Sequence, residues 1–357
     1  MRKHYLDNIR WTTVIIVVLY HVFYMYNAQG IAGGLGKITS LDMQYYDLFM
    51  YVVHPWMMPV LFIISGISSR LYLEKHTDKE FLKSRTLKLL VPSTIGLFVF
   101  QFIQGYISMS LSDAFVSFDA VPGFVVFLIM VLSGTGVLWY IQILWIFCVM
   151  LIGIRKIEKD RGWKLGNKAN ITTLFLLTVP VWLSAQSGNA PVIVVYRFGF
   201  YSCMFFLGYF VFSHDEVIEI LKKYFPLTIS VALLLCLTFC MKYFGTNIAD
   251  APVNRSVLFT TYSWFSCLTI LGGYARYFDY ENDLTRWMNR HSFGLYVFHY
   301  LGISAVALYI AKPGLLSPLL IYLLSLAVGF ASGYGLEYVI SRIPFLRWAV
   351  LGLKKKG

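Results

Sequence analysis

The sequence predicts an all-α protein, a polytopic transmembrane helix bundle of about ten spans with both termini cytoplasmic. Three observations carry that prediction. Hydrophobic residues make up 58% of the 357 and charged residues only 13%, and the mean hydropathy is +0.66, which excludes an ordinary soluble domain. The apolar runs have the length of membrane helices, about 20 residues, and not the roughly 10 residues of barrel strands; in lipid a helix satisfies its own backbone hydrogen bonds. Finally, lysine and arginine are distributed with an alternating bias that fits an even number of crossings.

Taken in order, spans are expected near residues 11–27, 48–70, 88–111, 136–154, 171–187, 193–212, 226–244, 255–275, 291–311 and 315–340. The apolar piece from Phe124 to Leu132 is too short to cross and reads as a re-entrant segment. Basic residues crowd the N-terminus, residues 70–88, 154–170, 213–225 and 275–290, and the C-terminal Lys354-Lys355-Lys356. The intervening loops, near 28–47, 112–123, 188–192, 245–254 and 312–314, are almost free of them, so the basic set is expected on the cytoplasmic side. The net charge of +12 then reports topology, and no nucleic-acid partner is expected. The first span lacks the short apolar region and small-residue cleavage site of a signal peptide, and is expected to stay uncleaved. No linker or fixed-period repeat is visible, which predicts one integral-membrane domain over residues 1–357.

The first span carries two ionisable side chains, Arg10 and His21. On a helix of about 3.6 residues per turn they share a stripe with Val14 and Val17 and lie roughly 16 Å apart along the axis. An arginine that opens a span commonly serves as an anchor. An imidazole near mid-bilayer is costly enough to be read as functional. In the second span, Pro55 and Pro59 are expected to kink the helix, and Ser65 and Gly66 allow close approach of another backbone. His54 and Asp47 lie toward its outer end. The basic segment Glu74–Pro92 reads as an amphipathic loop, with Arg85 and Lys88 at i and i+3 as a phosphate clamp would have them; with Arg70 and Arg10 they form a candidate anionic-ligand site. Gly134-Thr-Gly136 precedes Leu138-Trp139-Tyr140 at the start of the fourth span. Ser292, Tyr296 and His299 share a stripe near the end of the chain, and Glu337, alone in the last span, is a candidate to orient an imidazole. Cys148, Cys203, Cys236, Cys240 and Cys267 all fall in apolar runs without a Cys-x-x-Cys pair; they read as packing residues, and neither a structural metal nor a disulfide is expected.

These residues together resemble the acyltransferase family 3 membrane proteins. The resemblance rests on Arg10, ten residues, then His21, preceded by Leu6-Asp7; on Phe62-Ile-Ile-Ser65-Gly66; on Phe81…Arg85…Lys88…Pro92; on Leu138-Trp139-Tyr140; and on Ser292…Leu295-Tyr296…His299. Two departures stand out: Trp11 follows the first arginine where a glycine is common in the family, and Lys88 occupies the second basic place of a usual Arg-Arg pair. The resemblance implies transfer of an acyl group, acetyl being the expected one, from cytosolic acyl-coenzyme A to a hydroxyl of an extracytoplasmic glycan or related acceptor, at the bacterial plasma membrane. It implies catalytic roles for His21 and Arg10, donor contacts for Arg70, Arg85 and Lys88, and substrate contacts for Ser65, Trp139, Tyr140, Tyr296, His299 and Glu337. Acyl-coenzyme A would be a co-substrate, with no permanently bound cofactor. The alternatives are a secondary transporter of a small solute, for which buried His, Arg and Glu are equally ordinary, and a non-catalytic membrane partner in glycan or lipid assembly.

Overall fold

The computed structural model describes residues 3–118, 121–188 and 195–354. Lys355 and Lys356 of the C-terminal basic run, and residues 189–192 of one expected outer loop, lie outside them. Among the described residues there is no strand. The principal helices are α1 (His4–Met25), α2 (Tyr45–Leu73), α3 (Asp78–Leu111), α4 (Gly123–Ser133), α5 (Gly136–Glu158), α6 (Arg161–Gly166), α7 (Ile171–Ser184), α8 (Phe198–Phe210), α9 (Asp215–Lys223), α10 (Phe225–Tyr243), α11 (Ala251–Asn254), α12 (Val257–Tyr277), α13 (Asp283–Ala311), α14 (Pro318–Ile340) and α15 (Pro344–Leu351). Seven of them, α1, α2, α3, α5, α10, α13 and α14, are long and apolar enough to cross a membrane. Three of the ten expected spans fall instead on α7, on α8 and on α12, a 21-residue helix rich in Ser, Thr, Tyr and Gly.

The segment read as a basic loop is helical. Thr77 and Glu80 form a capping box: the Thr77 amide and hydroxyl donate to the Glu80 carboxylate at 2.9 and 3.0 Å, and the Glu80 amide donates to Thr77 Oγ1 at 3.3 Å. This starts α3 at Asp78, and the helix then runs on into the apolar stretch. α3 is not regular. It contains two π-helical turns, Thr86–Leu90 and Leu97–Gln101; Arg85 borders the first and Lys88 lies within it, where the winding is wider than in a regular α-helix. The short apolar piece at 124–132 is also helical, as α4; its 11 residues rise only about 16 Å.

By contacts the chain divides into two compact units, Met1–Thr13 with Tyr51–Leu82 and Ile146–Asn289, and Val14–Met50 with Lys83–Trp145 and Arg290–Gly357. In the first, α2 and α8 pack backbone to backbone through paired glycines: a Cβ on Gly66 would lie 2.0 Å from Phe205 O, and one on Gly208 would lie 2.1 Å from Ile63 O. This is the close approach that small residues permit between helices in lipid. α12 forms the buried core of this unit. Its Tyr262 hydroxyl donates to Val52 O on α2 at 2.6 Å, and its Trp264 indole N–H donates to Leu174 O on α7 at 2.9 Å.

In the second unit, α3 and α4 make the same kind of contact at Gly105, whose Cβ would collide with Met130 O, and at Gly134, where it would collide with Gln101 O. α13 and α14 pack at Gly302 against Ser332, whose hydroxyl donates to Phe298 O at 3.2 Å. α15 lies along α3: Gly96 meets Ala349 O, and Gly352, at φ +61°, meets Leu87 O and Lys88 Cα. A positive φ with carbonyl contact at that distance admits only glycine.

Replacing Gly66 by valine is expected to separate α2 from α8 and to cost about 1–3 kcal/mol. Thermal unfolding of the detergent-solubilised variant checks it; a midpoint equal to that of the wild type would show that the contact is dispensable.

Candidate active site

Two histidines of the second unit meet inside apolar helices. α1 presents Val14 and Val17, 5% and 2% exposed, and then His21, which keeps partial exposure. α13 presents His299, which is wholly buried. His299 Nε2 lies 3.0 Å from His21 Nδ1, with the ring centroids 5.0 Å apart. Each imidazole also bonds one turn back along its own helix: His21 Nδ1 to Val17 O at 2.8 Å, and His299 Nδ1 to Leu295 O at 2.9 Å. His21 Nε2 has no hydrogen-bond partner among the described residues. The helix period puts both contacts in place, since i and i−4 lie on one face.

Aromatic rings wall the imidazole. Tyr20, Tyr24 and Tyr300 stand edge-on to His21 at 5.5, 5.8 and 5.1 Å between centroids. Two of the three hydroxyls are committed to the segment that follows α1: Tyr24 donates to Ala32 O, and Tyr300 donates to Gly33 O at 2.9 Å. The segment folds back on the helix end, where Leu35 N and Gly36 N both donate to Met25 O. Gly33, at φ +100°, and Gly34, whose Cβ would lie 2.6 Å from Tyr24 O, make that return possible. Asp47 serves the same segment. Its buried carboxylate accepts from Ala28 N at 3.0 Å and from Gln44 Nε2 at 2.8 Å, so it braces the loop from below.

The other expected site residues of this unit separate into two groups. Tyr296 and Tyr140 meet edge to face at 6.0 Å, and the Tyr296 hydroxyl donates to Val137 O, which fixes the entry of α5 beside Trp139. Gly136 sits 3.7 Å, by its ideal Cβ, from the Tyr300 ring, so this entry reaches the wall of the His21 site. Glu337 does orient an imidazole, but it is His291, at 3.0 Å, where Gly294 leaves room for the carboxylate stem. Arg85 and Lys88 sit at the first π turn of α3.

In the first unit, Arg10 donates to Asp7 at 2.9 Å and lies 3.5 Å from Ser68 Oγ; its side chain is 40% exposed. Asp7 and Ser68 line a cavity of about 970 Å³ together with Lys3, Tyr72, Lys75 and Trp163. Arg70 is more fully engaged. It pairs with Asp160 at 2.6 Å and Glu74 at 3.3 Å, donates to the Tyr209 hydroxyl at 3.3 Å, and lies 4.0 Å above the Trp163 ring. The same ring stacks with His214, at 4.2 Å. Ser65 gives its carbonyl to the Ser69 hydroxyl at 2.8 Å.

Sequence reasoning missed Tyr24, Tyr300 and the Gly33-Gly34 return. A signal was present: Tyr300 is the neighbour of His299, and residues 30–36 hold four glycines. Asp160 and Trp163 left no such trace, because their role depends on Arg70, which lies 90 residues before the first of them. Among the described residues no three His, Cys, Asp or Glu side chains converge as a metal site.

The family model described as an acyltransferase domain, Acyl_transf_3, matches residues 3–338, and every residue of the histidine pair and its surroundings falls within that range. No curated protein and no solved structure matches the chain. A match over nearly the whole length, on a chain of membrane-spanning helices, means that this protein belongs to the acyltransferase 3 family of membrane acyltransferases.

Proposed function

We propose that this protein transfers an acyl group, acetyl in the simplest case, from cytosolic acyl-coenzyme A to a hydroxyl of an extracytoplasmic glycan or related acceptor, in the bacterial plasma membrane with both termini cytoplasmic. The observation that carries this reading is the imidazole of His21. It lies in an apolar helix, it is held by one ring nitrogen, and its other nitrogen is left for a reacting group. An ionisable residue so placed is expensive unless it is used, and imidazole is the side chain best suited to general-base work near neutral pH.

In the proposed step the acceptor hydroxyl gives its proton to His21 as its oxygen attacks the thioester carbonyl. The new O–C bond replaces the C–S bond, and coenzyme A leaves as a thiolate that takes up a proton. Direct transfer is the simpler course, since it needs no second nucleophile. Arg10, part-exposed beside the cavity at Asp7 and Ser68, is suited to an anionic part of the donor, as are Arg85 and Lys88. Arg70, already paired with two carboxylates, supports the reading least. Trp139, Tyr140 and Tyr296 belong to the acceptor side of the proposal, through the entry of α5.

His21→Ala is expected to abolish transfer while leaving acyl-coenzyme A binding within a few-fold of wild type, because the base acts on the acceptor. Reconstituted liposomes allow binding and coenzyme A release to be measured separately. Uptake of an intact solute without thioester cleavage would replace the enzyme with a transporter. For the donor, Arg85→Gln should raise the dissociation constant of acyl-coenzyme A roughly tenfold, as loss of one charge-assisted phosphate contact of about 1.5 kcal/mol or more would do. Unchanged affinity in folded protein would make Arg85 an anchor of the positive-inside kind.

A further inference from the structure

The contacts of the two imidazoles decide where their protons lie. A backbone carbonyl can only accept, so His299 Nδ1, 2.9 Å from Leu295 O, carries a proton, and His21 Nδ1, 2.8 Å from Val17 O, carries another. In a neutral ring protonated at Nδ1 the Nε2 atom offers only a lone pair. His299 Nε2 therefore accepts from His21 Nδ1–H across their 3.0 Å contact, and that proton is shared between His299 and Val17 O. Three of the four ring nitrogens are thus spoken for. The fourth, His21 Nε2, keeps a free lone pair, and the Tyr24 and Tyr300 hydroxyls that could have capped it point to Ala32 O and Gly33 O instead.

We propose that His299 is a positioning residue for His21, holding its proton on Nδ1 and its ring at the angle that presents Nε2 to the acceptor hydroxyl. The proposal rests on the reading of His21 as the base. When Nε2 takes the hydroxyl proton, the O–H bond breaks, an N–H bond forms, and the ring becomes a cation. Its Nδ1–H then donates more strongly to His299 Nε2, as charge-assisted donors do. His299 meets no substrate in this scheme: it has no exposed surface, and both of its nitrogens are engaged. This is the arrangement in which the partner of an imidazole fixes tautomer and orientation while remaining outside the chemistry.

The test combines spectroscopy with turnover. In ¹⁵N-histidine-labelled protein in nanodiscs, with His21 assigned by its loss in His21→Ala, the wild type should show His21 protonated at Nδ1 and bare at Nε2. His299→Leu should shift the Nδ1–H resonance as one of its two acceptors disappears. With acetyl-coenzyme A as probe, coenzyme A release by His299→Leu should fall about 10- to 100-fold in kcat with KM unchanged. His299→Gln, whose amide oxygen can stand in for Nε2, should recover most of it. His21 protonated at Nε2 in the wild type, or wild-type turnover in His299→Leu, overturns the proposal; so does equal loss in the Leu and Gln variants. If the Leu variant does not fold, the wild-type tautomer and the Gln variant decide. The base reading fails separately, if His21→Ala itself still turns over.

Discussion

The hydrogen bond between two imidazoles is the constraint around which the second unit is arranged. A histidine in an apolar helix is tolerated only when its polar atoms are satisfied or in use. Here the helix repeat supplies a carbonyl for each Nδ1, and the approach of α13 to α1 supplies the remaining partner for one Nε2. The Gly302 and Gly333 contacts bring α14 against α13, the helix that carries His299. Added bulk there would push the two helices apart, because interiors packed this closely transmit displacement.

The second unit also departs from regular helical structure. α3 carries two π turns, and α13 ends in a third, Ala307–Ala311; such turns change the face a helix presents and are frequent at functional sites. The first holds Lys88 and begins just after Arg85. The third follows Ser304, whose hydroxyl reaches both Tyr300 O at 2.7 Å and Gln104 Oε1 at 3.2 Å, so α3 and α13 are tied together beside the Tyr300 wall. The segment after α1 closes over the same wall through Gly33, at φ +100°, and Gly34, whose Cβ would meet Tyr24 O and Met25 O.

The cations differ in how far the fold has already used them. Arg70 is held between two carboxylates, a tyrosine hydroxyl and an indole face. A guanidinium so paired ties α2 to the start of α6 at Asp160 and Trp163, and an incoming phosphate would have to displace a carboxylate. Arg10 has one carboxylate partner and remains part-exposed at a cavity. The sequence placed both arginines in one candidate anionic-ligand site; their surroundings separate them.

The sequence by itself determined the membrane class and the family, and it singled out His21 as a candidate, because each depends on composition, run length or the spacing of motifs along the chain. Periodicity places Arg10, Val14, Val17 and His21 on one stripe whatever the rest of the chain does. The capping box at Thr77 and Glu80 was equally local, yet the basic residues around it read as a loop until the continuous helix was seen. Tertiary structure decided the partners. That His21 meets His299 and not Glu337 depends on contacts across 278 residues, and Glu337 turns instead to His291. Which nitrogen carries which proton follows from distances that no periodicity contains. Hydrophobic pattern fixes which face of a helix turns inward, but the identity of the side chain waiting there is set by helix pairing, π turns and glycine contacts, and these are settled only when the helices pack.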